Sequence, residues 1–227
     1  KLKQDLIAMV SHDMATPLAS VQLSLEFIAS KTAAQLTDGD LVLAKKAEKS
    51  VAHLIKLVND LLTVERLESG KIDLVFDEFE LLPMLKDAAE ILQEFAHSKQ
   101  VEIKVQFTDQ VLTADQDRLK QVVMNFLTNA IKFSPPQGQI TVSAVGENTG
   151  VKVMVTDQGR GVPKAEQRLI FERFHQVDRS DAREKGGRGL GLAICKALIE
   201  GHGGSIGVTS DPPHGSTFWF VVPNIQN

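Results

Sequence analysis

A histidine followed directly by an aspartate lies near the start of the chain, in the segment Ser11-His12-Asp13-Met14-Ala15-Thr16-Pro17-Leu18. An imidazole is a competent nucleophile at neutral pH, because its unperturbed pKa is about 6.5. The neighbouring carboxylate of Asp13 can hold the tautomer of His12 and accept a proton as the other ring nitrogen attacks. Pro17 removes a backbone hydrogen bond and is expected to kink the helix about one turn after His12. Taken alone, an ordinary surface histidine explains the same pattern.

Two asparagines one helical turn apart form a second candidate site. Asn125 and Asn129 lie at positions i and i+4 of a predicted helix and therefore share one face. Their amide oxygens suit a Mg²⁺ ion that keeps several waters and takes phosphate oxygens as its other ligands. Lys132 follows within reach of phosphates as a point charge. A polar helix surface is the alternative explanation for the pair.

An aspartate ends an apolar segment in Val153-Met-Val-Thr-Asp157-Gln-Gly159-Arg-Gly161. A carboxylate at a strand end can accept a hydrogen bond from an exocyclic amine such as that of adenine. Gly159 and Gly161 allow left-handed backbone conformations and close approach of a ligand. A simple Asp-x-Gly turn is the alternative.

A glycine cluster opens an apolar helix in Gly186-Gly-Arg-Gly-Leu-Gly-Leu-Ala-Ile194. Free backbone N–H groups and the dipole of a helix favour phosphate at such a position. The cluster matches neither the Rossmann nor the Walker pattern, which need a preceding strand with G-x-G-x-x-G or a Gly-Lys-Ser/Thr. Those folds are therefore disfavoured.

The histidine segment lies in the first of two stretches whose apolar residues recur at helical spacing. These residues are Ile7, Met14, Leu18, Val21, Leu25 and Ile28, and then Ala44, Ala47, Val51, Leu54, Val58 and Leu61. The polar segment 35–41 joins the stretches, with Thr37 or Asp38 as a plausible N-cap. We predict an antiparallel hairpin in residues 1–70 that is completed by dimerisation into a four-helix bundle. Packing of the apolar seam against the rest of the chain is the alternative.

A turn-like break at Glu68–Lys71 separates this hairpin from a segment of mixed character, residues 71–227. Alternating and apolar runs predict strands at 72–76, 101–107, 140–145, 151–156, 205–210 and 216–222. Helices are predicted at 81–98, 117–133 and 189–200. This order favours an α+β sandwich with helices on one face of a mixed sheet.

The composition of the 227 residues excludes several other classes of protein. A formal net charge of −4 argues against a general nucleic-acid binder. Cys195 is the single cysteine, so no intrachain disulfide forms, which is typical of a reducing compartment. No apolar run is long enough to span a bilayer, and residues 1–14 lack the features of a signal peptide. Because the sequence begins inside a helical pattern, we expect a cytoplasmic fragment, with any sensor or membrane segment upstream.

The histidine segment resembles the phospho-acceptor box of sensor histidine kinases, whose usual form is His-Glu-Leu-Arg-Thr-Pro-Leu. His12, Thr16, Pro17 and Leu18 match this box, whereas Asp13 replaces the usual Glu and Ala15 the usual Arg. The resemblance implies that Asp13 is the general base of phosphorylation. It also implies a phosphatase activity in which Thr16 positions water against a phosphorylated partner.

The other motifs, taken in order, resemble the N, G1, F and G2 boxes of the Bergerat-type ATP-binding fold of histidine kinases, gyrase, Hsp90 and MutL. The resemblance implies that Asn125 and Asn129 hold Mg²⁺, that Lys132 contacts phosphate, and that Phe133 lies beside the adenine. It implies that Asp157 binds the adenine amine and that Gly159 and Gly161 shape its turn. Arg173 and Phe174 would anchor a mobile lid at about 175–187. The residues implied at the triphosphate are Gly187, Arg188, Gly189, Leu190 and Gly191, of which Arg188 replaces a small hydroxyl residue.

The family implied by these boxes has a defined chemistry. It is an ATP-dependent protein histidine kinase, with ATP and Mg²⁺ as cofactors, that works as a homodimer and transfers its phosphoryl group to an aspartate of a response regulator. Two alternatives remain open. One is a dimeric scaffold that binds nucleotide without chemistry, favoured by Ala15 and Arg188. The other is an ATPase clamp, although such proteins lack the histidine and F boxes.

Overall fold

The computed structural model divides into two compact units, Lys1–Ser69 and Gly70–Asn227. It describes residues 18, 20–25, 27–28, 37–48, 50–51, 54–55, 74–177 and 189–224. No helix among those described residues is both long enough and apolar enough to cross a membrane.

The described residues of the first unit are helical except for Thr37. Helical residues lie within 18–28 and again within 38–55, as the apolar periodicity predicts. Thr37 precedes the second helical stretch, and its backbone N–H and hydroxyl both donate to Oδ2 of Asp40, at 2.6 and 2.8 Å. The bond from the backbone N–H satisfies a donor at the helix start. Thr37 is therefore the N-cap, one of the two residues that the sequence indicated.

The second unit contains seven strands and four α-helices in its described part. In chain order they are β1 Asp77–Glu80, α1 Leu81–Ile91, α2 Gln93–Ser98, β2 Glu102–Val105, β3 Val111–Ala114, α3 Gln116–Phe133, β4 Gln139–Glu147, β5 Gly150–Asp157, a 3-10 turn Leu169–Phe171, α4 Gly191–Gly201, β6 Ser205–Ser210 and β7 Ser216–Val222. A five-stranded sheet has the order β2-β4-β5-β7-β6, and β1 pairs with β3 in a separate ribbon. Only β2 and β4 pair in parallel in the larger sheet.

One face of the larger sheet is buried beneath the helices. Along β4, β5 and β7 every second side chain is buried, which is the pattern of a sheet with one covered face. Helix α3 contacts α1, α4 and β5, and Phe126 on α3 packs against Phe218 and Phe220 of β7. The α+β sandwich predicted from the sequence is confirmed.

Three local predictions differ from the structure. Residues 74–76 are not a strand: the N–H of Val75 donates to Oδ2 of Asp115 at 3.1 Å, so it pairs with a side chain. The strand starts at Asp77 instead, and its partner β3 was not predicted, because four residues carry too little alternation. The helix expected over 81–98 is interrupted at Leu92, whose N–H bonds the carbonyl of Ala89 in a tighter turn.

Candidate functional site

Helix α3 supplies the first wall of the candidate site. Asp115 caps it, because Oδ1 of its carboxylate accepts the N–H of Arg118 at 3.0 Å. The apolar residues of the helix form a buried stripe: Leu119, Val122, Val123, Phe126, Leu127, Ala130 and Ile131. Burial of this stripe leaves Asn125, Asn129 and Lys132 half-buried on the rest of the helix surface.

The two asparagines contact each other, and Asn125 also contacts the start of helix α4. Nδ2 of Asn129 donates to Oδ1 of Asn125 at 3.2 Å. A Cβ atom on Gly191 would lie 2.4 Å from Nδ2 and 3.0 Å from Oδ1 of Asn125. Only glycine therefore lets the first turn of α4 approach these amides so closely. The structure thus joins the second and the fourth of the sequence motifs, which are more than sixty residues apart in the chain.

Asp157 is the last residue of β5, and its side chain is buried. Oδ1 accepts the N–H of Gly159 at 2.8 Å, and the backbone N–H of Ser216 also bonds the carboxylate. Burial raises the pKa of Asp157 above its usual value, and the hydrogen bonds from Gly159 and Ser216 oppose that rise. A buried carboxyl with two donors on one side can bind one further donor on the other.

The glycine-containing turn after Asp157 lies against the end of α3. A Cβ on Gly159 would come within 2.7 Å of the carbonyl oxygen of Phe133. The guanidinium of Arg160 lies over the ring of Phe133, 5.3 Å from its centroid. Gly161 has a φ of +79°, and a Cβ there would meet Pro212 and Ser210. Phe133, Asp157 and Gly159 therefore lie next to one another.

The remaining described motif residues are Arg173 and Phe174, after the 3-10 turn, and Gly189 and Leu190, before helix α4. The N–H of Phe174 donates to the carbonyl of Gly189 at 2.9 Å, and both residues have left-handed backbone angles, φ +61° and +68°. A Cβ on Gly189 would lie 2.5 Å from the carbonyl oxygen of His175. Leu190 is buried and precedes α4, whereas Arg173 is exposed.

Several predicted site residues lie outside the described part of the chain: His12, Asp13, Thr16, Gly187 and Arg188. The predicted lid at about 175–187 is described only to residue 177. The remaining predicted site residues all belong to the second unit.

Sequence reasoning missed the contribution of the hairpin between β6 and β7. Ser216 pairs with Asp157 in the register of β5 and β7 and bonds its carboxylate. Gly215, at φ +90°, approaches so closely that a Cβ there would lie 2.1 Å from the carbonyl oxygen of Asp157. No local pattern marks these residues, because their role depends on which strands are neighbours.

Two family models match the chain. Residues 2–70 match the His Kinase A (phospho-acceptor) domain. Residues 114–226 match the histidine kinase-, DNA gyrase B- and HSP90-like ATPase. The second match includes α3, β5, α4 and the β6–β7 hairpin, which together form the walls of the site described above.

Individual proteins resemble the chain over almost its full length. The circadian input-output histidine kinase CikA of Synechococcus elongatus is 35% identical over 225 residues, covering 97% of this chain and 30% of that protein. Full-length ShkA, crystallised with AMPPNP, is 31% identical with a TM-score of 0.74, covering 96% of this chain and 45% of that one. ThkA, solved with the response regulator protein TrrA, is 24% identical with a TM-score of 0.67, and the match covers 97% of this chain and 61% of that one. This likeness shows that the two chains share a fold. The chain spans under a third of the length of CikA.

Proposed function

Because the chain belongs to the sensor histidine kinase family, we propose that it uses Mg-ATP to phosphorylate its own His12 and passes the phosphoryl group to an aspartate of a response regulator. The observation that carries the proposal is that helix α3 packs against two distant segments: against Gly191 through Asn125, and against the turn after buried Asp157 through the carbonyl of Phe133. Residues from three segments that are distant in the chain thus lie along one helix, which supports a single nucleotide site there. In this proposal residues 1–70 form the phospho-acceptor and dimerisation domain, and residues 71–227 form the ATP-binding domain.

Asp157 is proposed to bind the adenine amine. Its buried carboxyl already accepts two backbone N–H groups, so its orientation is fixed before a ligand arrives. The ring of Phe133 and the turn at Gly159 and Gly161 would border the base. A fixed acceptor in a partly dry site discriminates strongly against a base that offers no donor.

The phosphates are proposed to lie towards the start of α4. The side-chain oxygens of Asn125 and Asn129 fit a Mg²⁺ that takes its other ligands from phosphate and water, and Lys132 adds a positive charge. The N–H groups at the first turn of α4, which begins at Gly191 directly after Gly189 and Leu190, are suited to phosphate oxygens. Gly187 and Arg188 are proposed to complete this border, and Arg173 and Phe174 to anchor the adjoining segment. Bound Mg-ATP supplies the phosphoryl group with its charge partly neutralised.

His12 is the proposed acceptor and Asp13 its general base, because a carboxylate beside an imidazole can take the proton that the ring loses as it is phosphorylated. Thr16 is proposed to position water for dephosphorylation of the response regulator. Their assignment depends on the matching phospho-acceptor model over residues 2–70.

The proposed partners are a second copy of the chain and a response regulator. Large apolar side chains are exposed on both described helical stretches of the first unit, among them Leu23, Phe27, Leu41 and Val42. Several large exposed apolar side chains on the same unit indicate that they are buried in an interface, here proposed to be that of a dimer. The response regulator is supported by the solved complex of ThkA with TrrA.

The proposal is tested by incubating the purified chain with γ-³²P-labelled ATP and Mg²⁺. We expect label on the wild type and none on His12→Gln, because glutamine has no nucleophilic ring nitrogen. The matched control is His97→Gln, since His97 is a surface histidine of α2 whose ring bonds Gln93. This control should label like the wild type.

The chemistry of the label and its transfer give further tests. A phosphorus–nitrogen bond is labile in acid and stable in base, so the label should be lost in acid alone. It should then move to a receiver domain whose acceptor aspartate is intact and not to the Asp→Asn form of that domain. Undiminished label on His12→Gln would contradict the assignment of the acceptor.

A further inference from the structure

The hydroxyl of Ser210, at the end of β6, makes three hydrogen bonds around the turn that follows Asp157. It donates to the carbonyl of Gly215 at 2.7 Å and accepts the N–H of Val162 at 2.8 Å. The hydroxyl of Ser216 lies 3.1 Å away. A serine hydroxyl has one proton and two lone pairs, so Ser216 must donate in this third bond. Every donor and acceptor position of the Ser210 hydroxyl is then used.

Gln167 makes a second connection to the same turn. Its Nε2 donates to the carbonyl of Val162 at 3.0 Å and to the carbonyl of Ser210 at 2.8 Å. Both partners are acceptors, so the amide group can face them only with its nitrogen. The side chain of Gln167 therefore ties the turn after Asp157 to the end of β6 with both of its amide protons.

The two side chains together bond both backbone groups of Val162, the N–H through Ser210 and the carbonyl through Gln167. Val162 follows Gly161, which packs against Pro212 of the β6–β7 hairpin so closely that a Cβ would lie 2.9 Å from its Cα. The same hairpin supplies the N–H of Ser216 to the carboxylate of Asp157. The turn from Asp157 to Val162 is thus fixed to this hairpin at both of its ends.

We propose that Gln167 and Ser210 are positioning residues for base recognition: they fix the turn 157–162 on the β6–β7 hairpin and so hold the Asp157 carboxyl where it meets an adenine amine. This inference rests on the proposed function, because it concerns the same nucleotide site. Neither residue belongs to the motifs that the sequence singles out. Both act through the turn and the hairpin rather than by touching the base.

The test is a titration of the full 227-residue chain with ATP and with GTP in the presence of Mg²⁺, followed by isothermal calorimetry. Gln167→Met keeps the length of the side chain and removes both hydrogen bonds, and Ser210→Ala removes the hydroxyl. We expect each variant to bind ATP about tenfold more weakly, as the loss of one or two hydrogen bonds implies. Guanine lacks the 6-amine that Asp157 is proposed to bind, so GTP affinity should depend less on the turn 157–162. The ratio of ATP to GTP affinity should therefore fall.

Matched controls separate this role from a general effect on folding. Gln93→Met and Ser98→Ala remove the same groups from surface positions of α2, where the side chains bond His97 and the carbonyl of Phe95. These controls should retain wild-type affinity and base preference. Circular dichroism identifies the folded variants. In Gln167→Glu a carboxylate faces two carbonyl oxygens. The ratio of ATP to GTP affinity of its folded fraction should therefore fall further than that of Gln167→Met.

The outcomes distinguish the inference from the proposed function. A folded Gln167→Met with wild-type ATP affinity and an unchanged ATP-to-GTP ratio would overturn the inference alone. Lower thermal stability with an unchanged ratio would assign these residues a structural role, which also overturns it. A wild-type chain that binds no ATP would overturn the proposed function, and the inference with it.

Discussion

At the scale of single residues, the candidate site depends on a carboxyl whose surroundings act in opposite directions. Burial of Asp157 disfavours its charged form, while N–H groups of Gly159 and Ser216 favour it. The burial effect is the larger of the two, so the pKa is raised. The buried carboxyl therefore lowers the free energy of unfolding of the unliganded protein at neutral pH.

We expect Asp157→Asn to reduce the dependence of protein stability on pH. Because the pKa of Asp157 is raised in the folded state, its contribution is full below pH 3.8 and is lost as pH rises through the folded pKa. The free energy of unfolding of the wild type, measured relative to that of the variant, should therefore fall as the pH rises above 3.8. Urea denaturation at a series of pH values measures the difference.

A control for this prediction is the adjacent substitution Gln158→Ala. It removes the side chain that accepts the N–H of Gln139 but leaves the carboxyl in place. Its stability should follow the wild-type pH dependence. Parallel curves for the wild type and Asp157→Asn would show that burial does not govern this carboxyl.

At the scale of elements, helix α4 has a glycine at each end, and the two have different surroundings. Gly191 at the start touches Asn125, and a Cβ would approach the amide within 2.4 Å. Gly201 at the end would bring a Cβ no closer than 3.5 Å to Leu74, an ordinary van der Waals distance. The first glycine therefore sets the spacing between α3 and α4, and the second does not.

We predict that alanine weakens Mg-ATP binding at position 191 and stabilises the folded protein at position 201. Gly191→Ala should displace Asn125 and raise the Kd for Mg-ATP about tenfold, because overpacking at this contact costs about 1–3 kcal/mol. Gly201→Ala should keep wild-type affinity and raise the free energy of unfolding by about 0.5 kcal/mol through the lost entropy of the unfolded chain. Calorimetric titration and urea denaturation of both variants test the pair. Equal ATP affinities would refute the assigned role of Gly191.

At the scale of the whole molecule, the two units differ in how they bury apolar side chains. The second unit covers one face of its sheet with helices and so has its own core. The first unit leaves Leu23, Leu41 and Val42 more than half exposed in a single chain, at 67%, 61% and 66%. A helical hairpin buries only one side of each helix, which is why dimerisation is proposed for this unit.

We expect Leu23→Glu to weaken the proposed homodimer. Removing a large apolar side chain from an interface and introducing a charge should raise the dimer Kd at least about tenfold. Sedimentation velocity over a range of concentrations measures this. Phe107→Glu is the control, because Phe107 is 82% exposed in the second unit and lies outside the proposed interface. An unchanged dimer Kd for Leu23→Glu would place the interface elsewhere.

Residue types and local spacing sufficed to predict most of the described elements and the local placement of two candidate-site features. The spacing of Asn125 and Asn129 determined that they share one helix face, and the apolar run before Asp157 determined that this residue ends a strand. These features depend on contacts within a few residues, and such contacts are encoded locally. The short strand β3 escaped prediction for the opposite reason, since its pairing with β1 outweighs weak local preference there.

Only the tertiary structure decided how the motifs meet. The 2.4 Å approach of Gly191 to Asn125 and the bonds of Ser210 to Val162 and to Gln167 join residues distant in the chain, and the burial of Asp157 depends on such packing. Their geometry follows from strand order and from the packing of α3 against α4, which no local pattern specifies. The sequence by itself thus determined which chemical groups are available, and packing determined which of them act together.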